Sequence, residues 1–298
     1  MMDQFSLKTE ERNENTKDLD QLSLRQILTV MNEEDLHVIS AVREAIPQIE
    51  TAAEMMIETL RESGRIIYIG AGTSGRLGIL DAVECGPTFG CTSEFSGLIA
   101  GGKDAVFQAA EGAEDRKDLA VSDLKNIHFA RNDMLVGIAA SGRTPYVIGA
   151  MEYAKQTGAK TACICGNFNT PIAALADCAI EFSAGPEILA GSTRLKSGTC
   201  QKLILNMLST SVMIRMGRVY KNLMVDVRAT NEKLRERCRR IVTEACGCDR
   251  ETADRALKET GNDCKTAIVM ILLDTDRETA EQRLAAAGGF VRDALKDS

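Results

Sequence analysis

The sequence predicts an α/β fold, a doubly wound parallel sheet with helices before it and a small helical domain after it. Three observations predict this. Short apolar runs rich in β-branched residues recur as far as residue 182, helical segments lie between them, and residues 231–298 are charge-rich with a helical look throughout.

Taken in order, residues 22–60 carry a helical pattern. Leu22, Leu24, Ile27, Val30, Val38, Ile39, Val42, Ile46 and Ile49 recur at mixed three- and four-residue spacings, Ser23 suits an N-cap, and Gly64 breaks the pattern. Ile66-Ile67-Tyr68-Ile69 then reads as a buried parallel strand. Met134–Ala139, Thr161–Cys165 and Ala179–Phe182 read the same way, and Leu98-Ile99-Ala100 reads as a shorter strand. Helices are predicted over Arg76–Glu84, Tyr146–Gln156, Pro171–Leu175 and, long and apolar, Gly198–Met216. Residues 231–298 read as a separate helical domain broken at Gly247 and Gly261, which divides the chain at 1–230 and 231–298.

Composition excludes several functions. The net charge of −7, with scattered Lys and Arg, argues against nucleic acid or a membrane surface as partner, so an anionic ligand needs a local site. No apolar run approaches the roughly 20 residues that span a bilayer. The polar stretch Met1–Gln21 is no secretory signal, which leads to the expectation of a cytoplasmic protein. The ten cysteines then read as reduced, mostly buried thiols. Cys163/Cys165 and Cys246/Cys248 lack metal-site spacing, and His37 and His128 flank neither pair, so no metal is expected. Cys163 and Cys165 instead share one face of a strand.

Three segments lead into helices with glycine and hydroxyl residues. They are Gly70-Ala71-Gly72-Thr73-Ser74-Gly75-Arg76 and Ser141-Gly142-Arg143-Thr144-Pro145, each after a strand, and Gly191–Thr199 before the long helix. A helix start offers unpaired N–H groups and partial positive charge, which suits an anion. The first two loops fall at the carboxyl ends of strands, where ligands of open α/β sheets bind. Phosphate-binding candidates are Gly72, Thr73, Ser74, Ser141, Gly142 and Thr144, with Arg143 and Arg194 as bidentate partners. Ser and Thr also simply cap helices, and each Arg also suits a structural carboxylate. A rival reading takes Gly70-x-Gly72-x-x-Gly75, with Glu94 about 20 residues on, as a dinucleotide fingerprint. Thr73 and Ser74 in the turn suit a terminal phosphate better than a pyrophosphate.

Together these residues resemble the N-acetylmuramic acid 6-phosphate etherase family over nearly the whole chain. The resemblance is carried by Leu7–Asn13, Gly70–Gly78, Asp81–Thr88, Glu111–Asp115, Ala140–Val147, Gly191–Arg194, Asn222–Val227 and Gly288–Phe290. It implies a sugar isomerase (SIS) type, flavodoxin-like phosphosugar-binding fold, a C-terminal helical domain with a ubiquitin-associated look over Cys246–Leu272, and a homodimer. It also implies a bacterial cytoplasmic lyase of peptidoglycan recycling with no cofactor. The family's two glutamates fall on Glu84 and Glu114. Gly86 departs from the proline expected in many relatives and would loosen a turn after Glu84.

The chemistry implied is removal of the C2 proton of an opened sugar, loss of D-lactate from C3, and addition of water. One acid and one base suffice, and two carboxyls in a partly dry pocket can share a proton. The resemblance implies the pair; Glu84 is read as the acid on the lactyl oxygen and Glu114 as the C2 base, a split of roles that the resemblance leaves open. Their residues alone read as a solvated helix end and an acidic helix start. If a helix starts at Ser74, Glu84 lies about 15 Å along it, further than a hexose phosphate reaches. Glu84 is therefore expected to serve the other subunit's site. The rival functions are a non-catalytic phosphosugar sensor, as the related glucokinase regulatory protein is, and an aldose–ketose isomerase. Neither His37 nor His128 sits in a ligand loop to open a sugar ring.

Overall fold

Five short runs form one parallel sheet; the three central ones are almost wholly buried because strands covered on both faces can be apolar on both, and the two edge strands are buried in part. The computed structural model describes residues 7–229 and 231–296. Met1–Ser6 of the polar N-terminal stretch, Thr230, and Asp297 and Ser298 of the predicted C-terminal domain lie outside the described residues. The strands are β1 (Ile66–Gly70), β2 (Phe95–Ile99), β3 (Met134–Ile138), β4 (Lys160–Cys165) and β5 (Cys178–Glu181). Their order is β2-β1-β3-β4-β5. The register puts Gly70 beside both Ile99 and Ile138, so β1, β2 and β3 end level. The order reverses between β1 and β3, which makes their carboxyl ends the switch point where such sheets open a crevice.

The helices of this part are α1 (Leu24–Glu44), α2 (Ile46–Arg61), α3 (Gly72–Phe89), α4 (Lys117–Asn126), α5 (Pro145–Thr157), α6 (Pro171–Leu175) and α7 (Lys196–Arg215). Alternate residues of the strands face opposite ways. Ile67, Ile69, Leu135, Cys163 and Cys165 share a buried cluster with Leu124 of α4, Met151 of α5 and Ile172 of α6. On the other face, a Cβ on Gly78 of α3 would stand 3.0 Å from both Tyr68 and Ile138. The two cysteines of β4 thus belong to the core. The thiol of Cys163 is pushed up by its hydrogen bond with Cys165 and by burial, which makes it an inert group.

The predicted long helix over residues 22–60 is two helices. Pro47 sits in the first turn of α2, where its missing N–H costs nothing, and α1 ends before it at Ala45. Ser23 caps α1 as expected, in a capping box with Gln26. The turn expected after Glu84 is not there. Residues 84–89 continue α3, and Gly86 accepts the Gly90 N–H at 2.9 Å, so its lack of a side chain loosens a helix interior rather than a turn.

The chain packs as two compact units, residues up to 83 with 93–209, and residues 84–92 with 210 onward. The second unit holds the β6 (Val219–Tyr220) and β7 (Leu223–Met224) ribbon and helices α8 (Glu232–Cys246), α9 (Arg250–Glu259), α10 (Cys264–Leu273), α11 (Arg277–Ala286) and α12 (Val291–Ala294). Asn231, Asp249, Asp263 and Asp276 cap α8 to α11 with side-chain oxygens. Gly247 ends α8 at φ +68°, the left-handed position a glycine takes without strain. Val242, Ala253, Ala267, Ile268 and Val269 are wholly buried in this unit's own core.

Candidate active site

At the level ends of β1, β2 and β3 the first unit opens a cleft of about 330 Å³. That is the size of a small-ligand site. Three chain segments supply its walls. After β1, the chain turns at once into α3. A Cβ on Gly70 would stand 2.7 Å from Gly75 N, and one on Gly75 would stand 2.7 Å from Ile99 Cγ1. Only glycine at both places lets the helix start this close to the sheet. Gly72, Thr73 and Ser74, the first turn of α3, line the cleft. Their N–H groups precede the first intrahelical bond.

After β3, Ser141 and Thr144 line the cleft as well. Ser141 Oγ accepts the Arg143 N–H at 3.2 Å, which sets the turn into α5. Gly142 has φ +67°, and a Cβ there would meet Thr170 at 2.4 Å. Gly142 therefore shapes the loop and is not among the cleft-lining residues; neither are Arg143 and Arg194. After β2, the chain forms a short 3-10 turn, Lys103–Val106, and then a second, Ala113–Asp115. Glu111 and half-buried Glu114 from this stretch face the cleft. Glu84 lies exposed on α3 in the segment that packs with the second unit.

Three charged residues of the cleft, Glu10, Glu111 and Arg76, are not among the site residues the sequence predicts. Arg76 is the only cation among the described residues that line it. Its Nε donates to Val106 O at 3.0 Å and its Nη2 to Gln108 O at 3.3 Å, so it also holds the loop that leads to Glu114. Glu10 arrives on a stitched N-terminal arm. Asn167 donates to Thr9 Oγ1 at 3.2 Å and to Ala140 O at 3.0 Å. Asn13 and Asn15 donate to Glu34 at 2.7 and 2.9 Å. The clue in the sequence was the Leu7–Asn13 block, whose polar residues have no reason to be specific on a free tail.

Beneath α3, Ser74 Oγ donates to Gln201 Oε1 of α7 at 2.9 Å. Asp81 accepts from Asn206 at 2.6 Å and Ser209 at 3.1 Å, which ties α3 to α7. Burial pushes the Asp81 carboxyl up, against the downward pull of Asn206, Ser209 and Tyr68. The third predicted loop ends differently. Glu187, wholly buried, accepts the N–H groups of Lys196 and Ser197, both at 2.9 Å, at the start of α7. Lys196 Nζ donates to Glu34 at 2.6 Å, with the pair 1% and 7% exposed. Of this loop, Thr193 reaches the cleft.

Glu94 precedes β2 instead of following it. It sits at the far end of a five-residue strand, about 16 Å from the phosphate loop at 3.3 Å per residue. It cannot take the ribose role a dinucleotide fingerprint requires.

A parallel sheet of this order, with a cleft of hydroxyls and helix N–H groups at its switch point, defines an anion-binding protein of the doubly wound α/β class, and its family matches make it an SIS fold. The chain matches the SIS domain family over residues 118–211, and the family described as glucokinase regulatory protein N-terminal SIS domain over residues 48–155. Among solved structures it resembles a protein of E. coli CFT073, with TM-score 0.50, 16% identity, and 67% of this chain and 97% of that chain covered. It also resembles a phosphoheptose isomerase from Neisseria gonorrhoeae, with TM-score 0.50, 17% identity, and 64% and 98% covered. These share the fold. Within that class, the chain belongs to the N-acetylmuramic acid 6-phosphate etherase family. It is 56% identical to the protein of that name from Exiguobacterium sp. (strain ATCC BAA-1283 / AT1b), over 97% of this chain and 99% of the relative. It is 53% identical to the one from Erwinia tasmaniensis, over 99% and 97%. Among the described residues, no helix is long and apolar enough to cross a membrane.

Proposed function

We propose that this protein cleaves the D-lactyl ether of N-acetylmuramic acid 6-phosphate, giving N-acetylglucosamine 6-phosphate and D-lactate. The observation that carries this is the 56% identity to an etherase of that name over 97% of the chain. The cleft agrees with it. Helix N–H groups and hydroxyls at Thr73, Ser74, Ser141 and Thr144 suit a phosphate, and Glu114 lies in the wall from the β2 side.

The sugar opens at C1 to an aldehyde, which acidifies the C2 proton. Glu114 takes that proton. The C3–O bond breaks, its electrons leave with the lactyl oxygen, and Glu84 supplies that oxygen's proton. Water then adds at C3 of the unsaturated aldehyde and returns a proton to C2. The reaction is a lyase step followed by hydration, and its atoms balance without a redox partner.

Ten residues of helical rise separate Ser74 and Glu84, about 15 Å. Glu84 is therefore proposed to act in the site of a second subunit. The exposed Leu24, Leu28, Leu36 and Ile39 of α1 support a homodimer, since so apolar a face favours a partner. We assign the phosphosugar site to residues 1–230, the helical domain to 231–298, and the protein to the cytoplasm.

The test is D-lactate release from N-acetylmuramic acid 6-phosphate by wild type, Glu84→Ala and Glu114→Ala. Release by wild type, lost in both folded variants, supports the assignment. Saturable phosphosugar binding without release by wild type points to a sensor instead. Mixed Glu84→Ala and Ser74→Ala subunits should regain partial activity, and confirmed heterodimers without any would sink the shared site.

A further inference from the structure

We propose that Gln201 is a positioning residue for phosphosugar binding, because its side-chain amide decides where Ser74 points its hydroxyl proton. The inference rests on Ser74 being a phosphate ligand. Gln201 is 1% exposed on α7 and does not line the cleft, whereas Ser74 is 8% exposed and does. Their side chains meet at 2.9 Å, with Ser74 Oγ donating to Gln201 Oε1. Gln201 Nε2 is buried with no hydrogen-bond partner among the described residues.

Two things in this pair are mismatched to the task. A phosphate monoester has its second pKa near 6 and near neutrality acts mainly as an acceptor, so a serine serves it by donating. Ser74 has one proton, and here it points inward. Meanwhile an NH₂ group, the more costly member of an amide to leave unpaired, has nothing to donate to. One rotation repairs both. Turned over about its last bond, the amide places Nε2 on Ser74 Oγ as donor and keeps the same 2.9 Å contact. Ser74 then keeps its oxygen anchored and donates its proton into the cleft. The amide is nearly symmetric in shape, so the rotation asks little of the packing. The atom left without a partner becomes a carbonyl oxygen, which tolerates this better.

This role predicts a binding effect that runs through Ser74 alone. The variants are Gln201→Met, uncharged and of similar length, and Gln201→Glu, which accepts but does not donate when ionised. Each is made on wild type and on Ser74→Ala. The readouts are KM and kcat with N-acetylmuramic acid 6-phosphate, inhibition by inorganic phosphate, and Tm.

Ser74→Ala should raise KM and weaken phosphate inhibition by about tenfold, the loss of one charged hydrogen bond. Gln201→Met should do the same by a smaller factor with kcat held, since the phosphate lies away from the reacting carbons. On Ser74→Ala it should do nothing more. Gln201→Glu should be the worst of the three, since an ionised carboxylate only accepts from Ser74 and sets a negative charge behind it. An equal KM effect of Gln201→Met on both backgrounds, or a fall in Tm with KM unchanged, would overturn the proposal and leave Gln201 a packing residue. Ser74→Ala with unchanged KM and phosphate inhibition would overturn it too, by removing Ser74 as a ligand, while lactate release by wild type would still stand. If Gln201→Glu does not fold, the Gln201→Met pair reads the same coupling.

Discussion

The N-termini of α3 and α7 look alike and are used in opposite ways. Glycine, serine, threonine and arginine cluster at both, within the first turns of α3 and in the loop before α7, and both helix starts concentrate unpaired N–H groups and partial positive charge. At α7 the chain answers that charge itself. Glu187 takes the N–H groups of Lys196 and Ser197, and the Lys196 side chain is paired with Glu34. At α3 no carboxylate occupies the first turn, and Thr73 and Ser74 face the cleft. One helix start is an internal joint and the other an anion site. What separates them is a carboxylate nine residues upstream of Lys196, not anything in the loop's own composition.

The sharpest way to break the α7 joint is Lys196→Met. It leaves Glu34 buried without its cation, and about 3–5 kcal/mol of stability should be lost. Urea unfolding measures this, and a loss below 1 kcal/mol would mean the pair is not a closed internal one. Glu187→Gln should cost about 2 kcal/mol by weakening two charge-assisted bonds, with KM for the phosphosugar unchanged. A tenfold change in KM would instead place the start of α7 in the binding site. Ser74→Ala should show the converse, about 1.4 kcal/mol lost from phosphosugar binding and less than 1 kcal/mol from folding. Calorimetry of binding and of melting would separate the two.

The smallest effect is a pH dependence. Burial works to raise the Glu34 carboxyl, but the hydrogen bonds from Lys196, Asn15 and Asn13 outweigh it and hold it below the usual value. A carboxyl depressed in the folded state contributes stability that is full above its unfolded value, near 4.3, and fades as pH falls through the lower folded one. Unfolding free energy measured downward from pH 5 should therefore fall in wild type. The slope should flatten in Lys196→Met, and an unchanged slope would mean that other carboxyls set it.

Much of this fold was legible in the sequence, for reasons that differ by region. β1, β3 and β4 are covered on both faces, so each had to be a nearly continuous apolar run, and each stood out. β2 was caught only at its end, because Ser96 and Gly97 interrupt it where Gly97 lets α3 pass close. The helix over Lys117–Asn126 escaped notice, since only Ala120 and Leu124 of its ten residues are buried. The phosphate loops could be read because their glycines and hydroxyls are local signals. The Glu187 seal could not, because it joins a loop to a helix start through folding. Glu10 and Arg76 were hidden for a related reason. One reaches the cleft on an arm held by Asn167, and the other looks like an ordinary helix arginine until its loop carbonyls are seen.

The stitched arm has a consequence for anyone scanning this protein for loss of function. Thr9, Asn13 and Asn167 are 2%, 8% and 4% exposed and none of them lines the cleft, yet they fix the strand of chain that carries Glu10 there. Substitutions at these three places will score alongside catalytic ones, although the fault lies in the scaffolding of one wall and not in the chemistry.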